Sequence, residues 1–539
     1  MLGCDAIIKC LEEEGVRAVF GYPGVAICPF YNSILNSKIE SILVRTEQNA
    51  GHAASGYARV TGEVGVCAVT SGPGATNLIT GIATAFADSI PMVAITGQVN
   101  SELLGSDVFQ EADITGAIES FVKYSYLVKN VEDIPHVFKE AFYIANSGRK
   151  GPVLIDIPID IQNSPISKFK YPEEVNLRTY KPTVKGHIVQ IKKVIKELEK
   201  AKRPIICAGG GVLLSNAQQE LREFAEKFQI PVVSTMMGIG VMPTEHPLYF
   251  GMVGNNGKPY ANRAMNETDL LIMVGARVAD RAVSQPDLIT ENKVLVHIDV
   301  DPAEIGKNVG PTIPLVGDAK HIFSDFFKQD CECEHQSWIS TLMEYKKDME
   351  PKRNPNKDYV DPAEFIRILS RKLDDNAIYV ADVGQNQMWS CGYHIVRNGR
   401  FLTTGGMGTM GYSIPAAMGA KKALGKDQQV VAVCGDGSFQ MSMMEFATIN
   451  QHHMPIKVIV FKNTVLGMVR EYQHYAYQDH YSVVDLSGSP DLEKLAEAYD
   501  ISFERVRNMD GIKEKIEEFL KKEGTGLMEC LIDPKDLVK

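Results

Sequence analysis

Gln429-Val430-Val431-Ala432-Val433-Cys434-Gly435-Asp436-Gly437-Ser438 opens the stretch that decides the architecture, and Ile456-Lys457-Val458-Ile459-Val460-Phe461-Lys462-Asn463 closes it. The first is a short apolar run of the kind that forms a buried strand, broken at Gly435. Met441, Met444, Phe446 and Ile449 follow at helical spacing between residues 441 and 450, and residues 456–461 make the next strand. Two parallel strands joined by a helix place their carboxyl ends side by side, where open α/β sheets bind ligands. Asp436 and Asn463, 27 positions apart, therefore emerge at one crevice.

One carboxylate and one amide oxygen form a sparse hard-oxygen pair. It suits Mg²⁺, which completes its shell with phosphate and water oxygens. Gly435, Gly437 and the helix start leave backbone N–H groups free to meet a diphosphate. A turn Asp beside an unrelated Asn is the plain alternative, and the spacing and strand–helix–strand context weigh against it. The pattern resembles the thiamin-diphosphate motif, Gly-Asp-Gly with an Asn following the next strand.

At 539 residues the chain is too long for one core and fits roughly three domains. A net charge of −11 without acidic blocks argues against nucleic acid as a partner. No apolar run reaches the length of a membrane span, and Met1-Leu2-Gly3-Cys4-Asp5 lacks a basic leader. A cytoplasmic protein is expected, with its ten scattered cysteines reduced. Cys331, Cys333 and His335 lie too close together for an ordinary four-ligand zinc site and read as linker.

The fold class expected is α/β, three doubly wound parallel-sheet domains at 1–165, 186–335 and 360–539, joined by polar, Pro-containing linkers. In the first, a strand at residues 42–44 delivers Glu47 at its carboxyl end. Glu47 has two readings: a helix-start carboxylate favoured by the helix dipole, or an acid that shares a proton with a cofactor ring nitrogen in a desolvated site. In the second, residues 204–208 run into Gly209-Gly210-Gly211, a phosphate-approach turn without the full dinucleotide fingerprint. A nucleotide site and a structural spacer remain equal readings of that unit. In the third, the Gly/Met loop Gly405–Gly411 opens a helix at 414–423 ahead of the diphosphate motif.

Taken together, Gly21-Tyr22-Pro23-Gly24, Arg45-Thr46-Glu47-Gln48, the run Thr70–Asn77, Phe109–Asp113, Gly151–Pro158, Gly408-Thr409-Met410-Gly411 and Gly435–Phe439 make the chain resemble the catalytic subunits of the acetohydroxyacid (acetolactate) synthase family. The resemblance covers nearly the whole chain. It implies thiamin diphosphate held between the first domain of one subunit and the third of its partner, in a homodimer or tetramer, with room for a small regulatory subunit. Glu47 would activate the cofactor, with Gly24, Pro73 and Asn77 beside it. Asp436, Asn463 and the main-chain carbonyl of Val465 would hold Mg²⁺. Gln385, Asn386, Gly437 and Ser438 would meet the diphosphate, Met410 would wedge under the cofactor, and Gly408 would accept from its amine. Gln110 and Lys123 would line the substrate approach. Arg281 would grip the second keto acid's carboxylate through its guanidinium fork. FAD would bind as a non-redox structural cofactor along Gly209, Gly210, Gly211, Arg277, Asp299 and Asp318.

The implied reaction is decarboxylation of pyruvate and transfer of the two-carbon unit to a second 2-keto acid, giving 2-acetolactate or 2-aceto-2-hydroxybutyrate for branched-chain amino acid synthesis. Several positions depart from the family pattern. Tyr472 replaces the tryptophan tied to 2-ketobutyrate preference, Val253 and Asn386 replace histidines, Ala279 replaces an aspartate, and a Pro-rich C-terminal tail is missing. The alternatives are a related thiamin-diphosphate-dependent decarboxylase or carboligase with another substrate, and a non-catalytic scaffold that has kept the fold.

Overall fold

The computed structural model describes residues 1–279, 289–330 and 333–538. Arg281, the expected carboxylate grip, lies outside the described residues, as do Cys331 and Glu332 of the close-spaced cysteine segment.

Three six-stranded sheets carry the chain. The first contains β1 (Ala18–Tyr22), β2 (Glu40–Leu43), β3 (Gly65–Val69), β4 (Met92–Gln98), β5 (Tyr124–Leu127) and β6 (Pro152–Pro158), in the order β2-β1-β3-β4-β6-β5. The second contains β7 (Pro204–Ala208), β8 (Val232–Ser234), β9 (Tyr249–Met252), β10 (Leu270–Val274), β11 (Val294–Asp299) and β12 (Ile313–Val316), in the order β12-β11-β10-β7-β8-β9. The third contains β13 (Ile378–Ala381), β14 (Arg400–Leu402), β15 (Val430–Gly435), β16 (Lys457–Lys462), β17 (Ser502–Val506) and β18 (Gly526–Leu531), in the order β14-β13-β15-β16-β18-β17. All the pairings are parallel. Near-continuous apolar strands such as Val66–Val69 and Val430–Cys434 are buried on both faces, as a parallel sheet requires.

The first and third sheets share one strand order. The second has the classic dinucleotide-fold order, with the reversal between β7 and β10. Strand order alone thus marks three ligand crevices: β1/β3, β7/β10 and β13/β15.

Five helices frame them: α1 (Glu47–Thr61), α2 (Pro73–Ala87), α3 (Gln385–Tyr393), α4 (Ser413–Leu424) and α5 (Gly467–Tyr477). Within one chain the first and third domains meet where α1 crosses α4. Ala50, Ala53 and Ala54 face Ala416, Ala417 and Ala420, and a single hydrophobic core runs from Phe20 through this contact to Val458. A side chain at Gly56 would strike the Ala416 carbonyl, and one at Gly419 the Ala53 carbonyl.

Three expectations are modified. The stretch read as the second linker contains the helix Gln336–Met349, whose Trp338, Ile339 and Leu342 are buried. The helix expected over 441–450 divides into a short turn, Met443–Glu445, and the helix Phe446–Gln451. Eight cysteines are free thiols, whereas Cys333 is disulfide-bonded. His335 Nδ1 sits 2.8 Å from the Phe228 carbonyl.

At an ordinary helix-interior position Gly→Ala stabilises by up to ~1 kcal/mol. At the crossing the sign should reverse, and Gly419→Ala is expected to destabilise the whole chain by about 1–3 kcal/mol through overpacking. Calorimetric unfolding of wild type and variant checks this, and an unchanged or raised Tm would contradict the close approach.

Candidate active site

The crevice of the first domain is built at the carboxyl ends of β1, β2 and β3. Thr46 is extended, and the helix begins at Glu47, which is half-buried. Asn77, one turn into α2, donates from Nδ2 to Glu47 Oε2 at 3.1 Å. Gly74 keeps space open beside the other oxygen: a Cβ there would come within 3.4 Å of Glu47 Oε1. Gly24 lies at the end of β1, where a Cβ would come within 2.6 Å of Thr70. Pro73 occupies the first turn of α2. The buried hydroxyls of Thr70 and Ser71 lack partners among the described residues.

Gln110 adopts a left-handed backbone, φ +60°, and presses on Gly72, itself at φ +57°. A non-glycine residue held there carries strain of a kind concentrated at functional sites. Its neighbour Phe109 is 87% exposed. Asp156 on β6 supports this loop from below. Its carboxylate accepts from Thr96 Oγ1 at 2.6 Å and Gln98 Nε2 at 3.0 Å, and Gln98 Nε2 also donates to the Ala112 carbonyl at 2.8 Å. Burial pushes the Asp156 carboxyl up to about 7.

Lys123 is not brought to this crevice. It precedes β5 and so stands at the opposite, amino-terminal edge of the sheet. Its ammonium donates to the carbonyls of Ile144 and Ser147 and to the Tyr180 hydroxyl. Burial lowers its pKa to about 7.

The crevice of the third domain brings Asp436 and Asn463 together on adjacent strands, in register at Gly435 and Phe461. Both are buried. Asp436 Oδ2 accepts from Thr464 N at 2.7 Å and Oδ1 from Gly437 N at 3.1 Å, while Asn463 Oδ1 accepts from Val465 N at 3.1 Å. Residues 463–465 are therefore folded back onto the aspartate, with Thr464 at φ +57°. Burial raises the Asp436 carboxyl to about 6, and among the described residues no lysine or arginine forms an ion pair with it. A buried carboxylate without a cation, beside an amide oxygen, fits a hard divalent ion that keeps open positions. Among the described residues no group of three or more His, Cys, Asp or Glu forms a closed metal cage.

Around this pair, Gly437 leaves room for Met410, whose Cε would be 3.4 Å from a Cβ there. Asp382 anchors the Gly/Met loop: it accepts from Val383 N (2.8 Å), Gly411 N (2.9 Å) and Ser413 N (2.7 Å). Gly408 is exposed at φ +69°. Gln385 and Asn386 begin α3 behind the turn. Gln385 Oε1 lies 3.4 Å from Asn463 Nδ2, and its Nε2 donates to Glu471 at 2.9 Å and to the Asp536 carbonyl at 3.0 Å. Asn386 Nδ2 donates to the carbonyls of Asp382 and Val433. Ser438 Oγ donates back to the Gly435 carbonyl at 3.1 Å. These amide and hydroxyl hydrogens shape the turn itself.

At the central crevice a cavity of about 610 Å³ opens between the domains. Gly210, Gly211, Gly275, Arg277, Asp299 and Asp318 line it, facing Gly405–Gly408 of the third domain and Arg149 of the first. Gly209 and Gly211 allow β7 and β10 to end in backbone contact, since a Cβ at either would strike Gly275. The size and the acidic residue at the end of β11 fit a dinucleotide. Burial raises Asp299 to about 6. Arg277 donates to the Ala87 carbonyl at 3.0 Å.

Three family descriptions match the chain: the N-terminal TPP binding domain of thiamine pyrophosphate enzymes at residues 1–117, their central domain at 191–326 and their C-terminal TPP binding domain at 382–530. A probable acetolactate synthase large subunit of Methanocaldococcus jannaschii is 45% identical over 546 residues, covering 99% of this chain and 92% of the relative. The chain belongs to the acetolactate synthase large-subunit family of thiamine pyrophosphate enzymes. The acetolactate synthase large subunit of Haemophilus influenzae is 41% identical over 525 residues (96% of this chain, 91% of the relative). That of Corynebacterium glutamicum is 42% identical over 531 residues (96% and 84%).

Sequence reasoning missed several residues of this acetolactate synthase-family site. Arg149 bridges the domains, pairing with Glu304 at 2.8 Å and Asp301 at 3.3 Å. The adjacent cations Arg149-Lys150 before a buried strand were its only signal. Glu445 is fully buried and bonded across the domain boundary. A charge amid the apolar run 441–450 was the hint.

Asp156 binds its proton more tightly in the folded chain than in the unfolded one. The stability it contributes is therefore full below about 4, the unfolded value, and lost as pH rises through about 7. Asp156→Asn should flatten that decline: measured from pH 5 to 8, the Tm of wild type should fall relative to the variant. Parallel curves would contradict the assignment.

Proposed function

We propose that the chain is the catalytic subunit of an acetolactate synthase, which joins two 2-keto acids, pyruvate as donor and pyruvate or 2-ketobutyrate as acceptor. The folded-back Asp436–Asn463–Val465 turn at the third crevice carries this reading. It offers the side-chain oxygens of Asp436 and Asn463 for Mg²⁺, to which the family resemblance adds the Val465 carbonyl, beside the glycines that would meet the diphosphate.

Bound thiamin diphosphate supplies the electron sink for loss of CO₂ from pyruvate. The chain's own residues supply the rest. Asn77 occupies Glu47 Oε2, so Oε1 would be the oxygen that meets the pyrimidine nitrogen of a bound cofactor. Met410 offers an apolar support, and the strained Gln110 loop lines the approach. Arg281 is assigned the acceptor's carboxylate on the family resemblance alone. Flavin adenine dinucleotide suits the central cavity as a structural group.

Among the described residues Glu47 bonds to Asn77 of its own domain and not to Asp436 or Asn463, which supports a second copy as the source of the other half of the site. Exposed apolar side chains at both catalytic edges support a homodimer: Val25 and Phe109 on the first domain, Tyr472 and Val483 on the third. The relatives' description as large subunits supports a small regulatory partner. No helix among the described residues is long and apolar enough to cross a membrane; the cytoplasmic location is proposed on the family resemblance.

The purified chain should convert pyruvate to 2-acetolactate only with both thiamin diphosphate and Mg²⁺ present. Glu47→Gln should lower the rate by at least ~10²-fold, the scale of a lost proton-transfer group. Acetaldehyde without acetolactate would instead support the decarboxylase alternative, for which the 63% exposed ring of Tyr472 at the acceptor position is the motive. Flavin absorbance should accompany the protein and weaken in Arg277→Ala. A colourless wild type refilled by no added flavin would remove that cofactor from the proposal.

A further inference from the structure

The residues on either side of Glu47 are held by the third domain of the same chain. Arg45, two positions before it, donates its backbone N–H to Glu445 Oε1 at 2.8 Å. Asn49, two positions after it, donates from Nδ2 to the same oxygen at 2.8 Å. The other oxygen of Glu445 lies 2.7 Å from the Thr448 hydroxyl, which is 3.0 Å from the Leu43 carbonyl at the end of β2. One carboxylate thus clasps the strand exit and the first turn of α1, and Glu47 projects from between the clasped points toward Asn77.

We propose that Glu445 is a positioning residue for Glu47, fixing from the third domain of the same chain where the first domain presents its acid to a cofactor carried by another copy. The inference rests on the reading of Glu47 as the activating acid. Three features support it. Glu445 is completely buried, so keeping a carboxylate there is costly unless its bonds are needed. Burial also pushes its pKa up, against the lowering by the donors from Asn49, Thr448 and Arg45. Finally, both bonds to the first domain converge on one oxygen, so shifting Glu445 shifts both flanks of Glu47 together. General adhesion between the domains is already supplied by the α1/α4 crossing.

The test measures, in the thiamin diphosphate-loaded enzyme, the rate of hydrogen–deuterium exchange at the cofactor's reactive ring carbon by acid quench and NMR, alongside kcat, the KM for pyruvate and the apparent Kd for the cofactor. Glu445→Ala is expected to slow both exchange and kcat on the order of tenfold to a hundredfold, as small misplacements of a catalytic group do. The cofactor Kd should stay near wild type, because Asp436 and Asn463 are untouched. Glu445→Gln, which keeps an acceptor oxygen for Arg45 and Asn49, should recover most of the rate. Gln451→Ala removes a 2.8 Å bond from the Arg45 guanidinium at the same junction and should leave exchange unchanged. If Glu445→Ala fails to fold, Asn49→Ala removes one of the two clasping donors and should show a smaller slowing in the same measurement.

Exchange at the wild-type rate in Glu445→Ala, or in Asn49→Ala where that variant is the one used, overturns the proposal. So does equal slowing in Gln451→Ala, which would mark general loosening of the junction. Glu47→Gln separates the two readings. If it exchanges normally, the activating role of Glu47 falls; if it is slow while Glu445→Ala is normal, only the positioning role falls.

Discussion

Backbone contact between α1 and α4 sets the geometry on which the rest depends. Alanine and glycine at the crossing bring two helices from different domains close enough that Gly56 and Gly419 have no room for a side chain. Such proximity leaves little freedom to rotate one domain against the other, because any tilt drives a carbonyl into a neighbouring helix. Arg59 strengthens it with a 2.6 Å ion pair to Asp88, whose other oxygen accepts from the Gly405 and Gly406 backbone. The Gly/Met loop is thereby registered against the first domain as well as against Asp382.

Buried carboxylates do much of the remaining positioning, and they share a physical pattern. Asp382, Asp436 and Glu445 each accept backbone N–H groups from a segment distant in sequence or at a turn. A carboxylate away from water is tolerated only when several donors surround it. Removing any one of the three would leave the others in place but free a different loop: the Gly/Met loop, the turn at 463–465 or the start of α1. Rigid attachment of site loops to strands is what holding a cofactor in one geometry requires.

The sequence made the sheets and their crevices legible because parallel strands are buried on both faces and read as unbroken apolar runs. Residues 430–434 and 456–461 needed no tertiary information, and Asp436 with Asn463 followed from strand adjacency. The triple glycine left a nucleotide site and a spacer equal; the strand order of the second sheet adds a crevice between β7 and β10 and is compatible with both. Lys123 shows the converse. Its place in a family pattern carried no information about which edge of the sheet it occupies, and its ammonium is spent on helix-end carbonyls. Glu445 was illegible for a similar reason, because its partners lie about four hundred positions away. The helix Gln336–Met349 was hidden by charged residues flanking a narrow apolar stripe.

The identical strand order of the first and third sheets gives the domain arrangement its logic. Each repeats one crevice, but the crevices carry complementary chemistry: the first has an acid and an amide with open space beside them, and the third has hard oxygens and glycine-lined backbone. Neither half suffices to bind and activate a cofactor that has both a ring to protonate and a diphosphate to anchor. The exposed apolar side chains of Val25, Phe109, Tyr472 and Val483 are surfaces that a second copy would cover in the proposed homodimer. In the proposed homodimer a second copy, related by a two-fold axis, would present each acid to the other's Asp436–Asn463 turn and complete two sites at once.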